Sequence, residues 1–243
     1  EIKNGQLKLN EWQLQLSGNI NENDGVWSAS AKNLDMGKVF QLLPKEFIPS
    51  SRNLNLDGNL DLNINAISNF SGTSINAKGK WTDGILNIND SYFIGNNINA
   101  QIIYSNGKLN SFETSLLRFE DISLESRGSK FRGVLSLENF KQPKCKADIK
   151  FDSRWMDLMH WLEYKTWEGS KGDLLGEIYW NNDFKNIDEL KNKVFWGGKW
   201  NGNLLIPKAD LEIEGANQTT QLSNLNIEFD DYNLNIISGV IQT

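Results

Sequence analysis

Nucleophilic catalysis needs a base beside the nucleophile, and this chain offers one imidazole and one thiol. His160 lies between Met159 and Trp161 on a stretch with a helical apolar stripe, and reads as a helix-surface or interface residue. Cys145 is alone. A Ser/His or Cys/His pair needs its base aimed at the nucleophile, and a zinc site needs several thiol or imidazole ligands. One copy of each supplies no zinc set. Carboxylates are the remaining candidates for acid/base work. The closest pairs are Asp230-Asp231 and Glu212/Glu214, and the latter alternate with Leu211 and Ile213 on what reads as the wet face of a strand. Asn21-Glu22-Asn23-Asp24-Gly25 begins like a calcium loop, lacks the closing Glu, and reads as a hairpin turn. Gly169-Ser170-Lys171-Gly172-Asp173 lacks phosphate-loop spacing and precedes a strand rather than a helix. Glycosylation sequons at Asn69, Asn89 and Asn217 matter only in a eukaryotic secretory setting. The expectation is a protein that is not an enzyme and needs no cofactor or metal.

What remains is the pattern that would hold any binding surface in place. The 243 residues suffice for one or two domains, and 39% hydrophobic residues with a mean hydropathy of -0.49 fit a folded, non-membrane chain. No apolar run is long enough to cross a bilayer as a helix. A net charge of -6 without a basic cluster speaks against nucleic acid and against docking on an anionic membrane. The chain opens at Glu1, and the reading is a segment whose targeting signals lie outside it.

Alternation dominates. From Asn53 to Asn65 the chain reads NLNLDGNLDLNIN, with Leu54, Leu56, Gly58, Leu60, Leu62 and Ile64 on one face and Asn or Asp on the other. Side chains alternate across a strand, so this predicts a strand with one apolar and one wet face. The pattern returns at Trp12–Leu16, Ile75–Trp81, Ile98–Tyr104, Phe131–Leu137, Ala147–Phe151, Leu211–Ile213, Leu225–Phe229 and Leu234–Ile236. Asn23-Asp24-Gly25, Thr82-Asp83-Gly84, Ser105-Asn106-Gly107 and Asn201-Gly202 read as the turns between them. Two stretches have helical periodicity instead, near 36–43 and near 153–163, the second with Asp152 or Ser153 as N-cap.

Landmarks recur. Gly79-Lys80-Trp81 returns as Gly198-Lys199-Trp200, while Gly18, Asp35 and Gly58 pair with Gly133, Asp152 and Gly176, all at an offset of about 117 residues. This predicts two tandem repeats, 1–125 and 126–243, each a β-groove unit with one short helix. The fold expected is mainly β: antiparallel meanders forming an elongated curved sheet, a half-pipe.

The apolar face is then either the core of a closed β-sandwich or an open trough for acyl chains. Burial contributes about 0.8 kcal/mol per CH₂, so a sixteen-carbon chain would gain roughly 12 kcal/mol before entropy costs, without any dedicated polar site. The expected lining is Leu54, Leu56, Leu60, Leu62, Ile64, Ile75, Ala77 and Trp81 in the first unit, with Ile178, Trp180, Trp196 and Trp200 in the second. Val39, Phe40, Leu43, Trp155, Met159 and Leu162 are expected to pack the helices onto the sheet.

The order of an alternating strand, NLDMGKVFQLLP, LNLDGNLDLNINA and GKWTDGIL resembles the bacterial AsmA-like superfamily, which includes the TamB and YhdP types. VFWGGKWNGNLLIPKADLEIEG followed by LSNLNIEF is similar to the YhdP-type repeats in particular. The resemblance implies a long β-groove, anchored in the inner membrane by a helix absent from this sequence, that crosses the periplasm. It implies phospholipid as partner, movement of that lipid to the outer membrane, and envelope proteins as further partners. It carries over no functional residue set. The alternative is a structural or adhesive β-module binding protein or glycan, for which tryptophans would sit on the Asn-bearing face.

Overall fold

The computed structural model describes residues 2–9, 12–20, 24–42, 54–88, 93–161, 170–193, 197–212, 219–231 and 233–242. Strands β1 (Ile2–Leu9), β2 (Trp12–Ile20) and β3 (Gly25–Asp35) lead into α1 (Met36–Leu42). Then come β4 (Leu54–Asn69), β5 (Gly72–Ile88), β6 (Ile94–Ser105), β7 (Leu116–Ser126), β8 (Ser129–Glu138) and β9 (Lys144–Arg154). Helix α2 (Trp155–Trp161), β10 (Lys171–Asp183), α3 (Ile187–Lys193), β11 (Lys199–Glu212), β12 (Thr219–Asp230) and β13 (Asn233–Gln242) complete the order. All thirteen described strands belong to one open, curved, antiparallel sheet, hydrogen-bonded in sequence order. The closed sandwich is therefore not formed, because the described strands make no second sheet to cover the apolar face.

Register follows from the alternation. Leu14, Ala31, Leu62, Gly79, Ile102, Phe119, Leu135, Ala147, Trp180 and Trp200 are successive partners across ten strands. A slip of one residue in any of them would turn its apolar set to water. The opposite face carries the Asn, Asp and Lys residues that alternate with this row.

The sheet is creased rather than uniformly pleated. Register shifts in β3, β4, β5, β6 and β7 lie side by side, and each carries a residue with positive φ: Asn33, Gly58, Asp83, Asn97 and Asp121. A bulge adds a residue on one strand, bends it and increases its twist, so adjacent bulges fold the sheet along a line. Glycine reaches positive φ freely, and Asn or Asp reaches it at less cost than other side chains. Eight of the nine described non-glycine residues there are Asn or Asp. The abundance of Asn thus has a conformational role that alternation alone did not suggest.

Two expected turns are strand interior. Asp83 is a bulge in the middle of β5, and Gly202 pairs with Ile178 and Phe229 inside β11. Real reversals occur at Arg127-Gly128, both with positive φ, and at Phe70-Ser71. The GKW triplets also differ in setting. Gly79 is mid-strand, whereas Gly198 has φ +90° just before β11 begins. Trp81 packs near α1 and Trp200 near α3, which lie at opposite ends of the sheet because α1 follows an odd strand and α3 an even one. Likewise Gly58 has φ +112° while Gly176 lies in regular β10 beneath the Phe151 ring. Helices α1 and α2, in contrast, both leave an odd strand at the same end.

The expected helices span Met36–Leu42 and Trp155–Trp161, and α3 lay outside the expectation. Asp35 caps α1, its carboxylate accepting the Lys38 N–H at 3.0 Å. Neither Asp152 nor Ser153 caps α2; both lie in β9. Val39, Trp155 and Leu158 pack against the sheet, and Phe40 is half-buried. Leu43 and Leu162 lie outside the described residues.

Candidate apolar binding face

Three clusters close parts of the apolar face. Met36 of α1 packs with Ala31, Leu34, Leu60, Trp81 and Ile98; beside α2 lie Leu174, Ile206, Ala209, Leu211, Leu222 and Leu225. A third, of Cys145, Trp180 and Phe184, packs with Leu190 of α3 and with Trp200. These are core, and three of the expected lining positions fall within them. Leu60, Trp81 and Trp180 are buried. Both buried indoles are satisfied: Trp81 Nε1 donates to Asp57 O at 3.0 Å, and Trp180 Nε1 to Gly197 O at 2.8 Å. Trp200 is half-buried with its ring centroid 5.8 Å from that of Trp180.

Between the clusters the face is uncovered. Ile64, Ile75, Ala77 and Ile178 are half-buried there, and Leu56 and Leu62 are half-buried at the margin of the α1 cluster. Leu54 is in β4 opposite Ile88, and Trp196 lies outside the described residues. Two accessible groove positions in the middle of the sheet lie outside the expected set. Leu135 is 40% exposed and Ile149 38%, although both point to the apolar side with Phe119, Ala147 and Ile178. Their strands were legible as alternating, but exposure depends on where the helices fall, which alternation does not encode.

Continuity distinguishes this face. Ile122, Gly133, Ile149, Ile178, Gly202, Phe229 and Leu234 are successive partners from β7 to β13. Leu124, Phe131, Phe151, Gly176, Leu204, Ile227 and Ile236 form a second such row. No charged side chain interrupts either row. Trp27, Trp81, Trp180 and Trp200 all fall on this side by register, so these four are not on the Asn-bearing face.

The groups with chemical potential are engaged elsewhere. Asp157 of α2 is buried and bound by Ser129 Oγ at 2.9 Å, Arg154 Nε at 2.9 Å and Arg154 Nη2 at 3.1 Å. Arg127 approaches the same carboxylate at 3.6 Å and meets His160 Nε2 at 3.1 Å. His160 is thus part of a clamp between α2 and the β7–β8 turn. Asp231 accepts the Trp200 N–H, Glu212 is exposed at the end of β11, and Glu214 lies outside the described residues. Ser170 bonds both backbone groups of Glu212, and Lys171–Asp173 are in β10. A polar depression along the crease is lined by Asn33, Asp35, Asp57, Gly58, Asn59, Asp83 and Ile85, yet the described carboxylates, imidazole and thiol form no metal-holding group. No described helix is long and apolar enough to cross a membrane.

Burial pushes the Cys145 thiol up from 9.0 to about 11, with Asp183 adding to the effect. That lowers its thiolate fraction at neutral pH about a hundredfold. A maleimide or disulfide reagent at pH 7.5 is expected to label the folded chain at least that much more slowly than the urea-unfolded chain. Equal rates would mean that Cys145 is accessible.

No family model, curated protein or solved structure compared with the chain matches it, so the sheet and its continuous apolar face carry the functional argument.

Proposed function

We propose that the chain is a segment of an AsmA-like envelope protein whose apolar sheet face holds and conducts phospholipid acyl chains. In this reading the full protein is anchored in the inner membrane, spans the periplasm and supports outer-membrane biogenesis, with 1–125 and 126–243 as successive units of the groove. The observation that carries it is the uninterrupted, partly exposed apolar row across the sheet. An apolar patch of that extent on the surface of a monomer marks an interaction site. Acyl chains suit it because they need contact area and no fixed polar partner, and they can slide from one strand to the next without losing either. The adhesive alternative needs tryptophan platforms on the outer face, where Trp27, Trp81, Trp180 and Trp200 are not found.

Native mass spectrometry of the chain expressed in bacteria tests the reading. Phospholipid adducts are expected on the wild-type chain. Ile149→Asp places a charge at a position already 38% exposed, so it is expected to remove most of the bound lipid while changing stability by about 1 kcal/mol or less. Tyr179→Asp, at 40% exposure on the opposite face, is the control and should keep its lipid. A wild-type chain without lipid, or equal loss in both variants, refutes the groove.

A further inference from the structure

Two arginines meet where the apolar face reaches its margin at the β7–β8 turn. Arg127 lies in that turn and Arg154 ends β9, 27 residues later, and both reach Asp157 of α2. The carboxylate keeps 3% of its side chain accessible, while the arginines keep 52% and 56%. The negative charge therefore lies behind and the positive charges in front. Two guanidinium groups against one carboxylate leave a local excess of positive charge in a chain of net charge -6. Nothing nearby cancels it. Glu125 and Asp152 face Lys130 in register, and Asp173, the register partner of Arg154, forms no ion pair with it.

The two forks are held without being used up. Arg154 directs Nε and Nη2 at Asp157, and Nη2 also donates to Arg127 O. Arg127 turns Nε towards Asp157 at 3.6 Å and Nη1 towards His160 Nε2 at 3.1 Å. Arg127 Nη2 and Arg154 Nη1 donate to no described residue. A guanidinium has five donors in a rigid plane that matches a carboxylate or a phosphate. Fixed from behind by a buried carboxylate, such a fork has little freedom left to lose when it takes an oxyanion. Gly128 keeps the approach open: a Cβ there would meet only Arg154 within 4 Å, at 3.6 Å from Nη2.

We propose that Arg127 and Arg154 form a phosphate site at this margin, holding the headgroup of a phospholipid whose acyl chains lie on the adjacent apolar row. Ser126, Ser129 and Ser153 occupy the apolar-side positions beside the turn, and Leu124, Phe131 and Phe151 lie two residues further in. Two residues of strand span about 7 Å, a distance that a glycerol linker bridges between phosphate and acyl chain. Phe131 packs edge-on to Phe93 at 5.8 Å and tilted to Phe151 at 6.2 Å, and all three rings are half-buried. A polar station and an apolar strip thus adjoin, in the order in which a phospholipid carries its own parts. The lipid as source of the phosphate rests on the groove reading; the site itself does not, because free phosphate would meet the same two forks.

Calorimetric titration of the whole chain with three probes tests it: dihexanoylphosphatidylglycerol, dihexanoylglycerol with the same chains and no phosphate, and inorganic phosphate. The phosphate-bearing lipid is expected to bind at least about tenfold more tightly than dihexanoylglycerol. Arg127→Gln should abolish that preference and leave dihexanoylglycerol binding unchanged. Asp157 keeps Ser129 and both Arg154 bonds in this variant, so circular dichroism should show the fold intact. Asp173→Asn, at an exposed position, removes a negative charge beside Arg154 without touching the clamp, and is expected to tighten the phosphate-bearing lipid about twofold. If Arg127→Gln unfolds the chain, this second variant decides, and no tightening overturns the proposal. A chain that fails to bind dihexanoylglycerol refutes the groove alone; the site then stands if Arg127→Gln weakens inorganic phosphate at least about tenfold, and falls if it does not. Inorganic phosphate bound as tightly as the lipid upholds the site and makes free phosphate its ligand. Equal binding of the two lipids without Arg127-sensitive phosphate binding, or a preference that survives Arg127→Gln, overturns the proposal.

Discussion

Replacing Trp81 by alanine is expected to cost about 3–5 kcal/mol of folding stability, the range for deleting a large buried aromatic side chain. The indole is 7% exposed and lies at the crease where β4 and β5 lose register. A Cβ on Gly84 would come within 2.5–2.7 Å of its ring, and one on Gly58 within 2.8 Å of its Nε1, so both glycines are small to admit it. Its Nε1 donates to Asp57 O, at the point where the β4–β5 register shifts. Removing the ring therefore opens a cavity against Leu60, Met36 and Ile98 and frees the crease to straighten. Trp81→Phe keeps most of the apolar volume and loses only the hydrogen bond, so it should cost about 1–2 kcal/mol. Urea unfolding followed by circular dichroism separates the two. A cost below about 1 kcal/mol for the alanine variant would show that the ring does not hold the crease.

The same residue shows where the sequence was legible. Trp81 was correctly placed on the apolar side by its phase with Ile75 and Ala77, because alternation maps directly onto the two faces of a strand. Its burial was not legible, since that depends on Met36 of α1, which approaches through the chain reversal between β3 and β4. Thr82-Asp83-Gly84 misled for a related reason. Asp followed by Gly supplies positive φ to a hairpin turn and to a bulge alike, and only the partner strand decides between them. Here β4 runs unbroken opposite both halves of β5, so the dipeptide is absorbed as a bulge. Helix α3 leaves little trace in the sequence because Ile187–Lys193 is short and polar, with Ile187 and Leu190 only half-buried. The open sheet was legible only as one of two outcomes. Alternation specifies an apolar face without saying what covers it.

The clamp at α2 gives the second large effect, and its sign pattern is the test. Asp157 keeps 3% of its side chain accessible, whereas Arg127 and Arg154 keep 52% and 56%. Removing an arginine and removing the aspartate are therefore unequal. Arg154→Ala strips the buried carboxylate of two hydrogen bonds and leaves it with Ser129 and the more distant Arg127. A buried charge that loses its partner costs about 3–5 kcal/mol, and Arg154 also donates to Arg127 O in the β7–β8 turn. Asp157→Ala instead leaves guanidinium groups that water can reach, so only the hydrogen bonds to a charged group are lost, about 2–3 kcal/mol. The double variant has no buried charge left to solvate and is expected to be more stable than Arg154→Ala alone. Denaturant midpoints for the three variants decide it: additive losses would mean that Asp157 is solvated when Arg154 is gone, and that the clamp joins α2 to the sheet by packing rather than by charge.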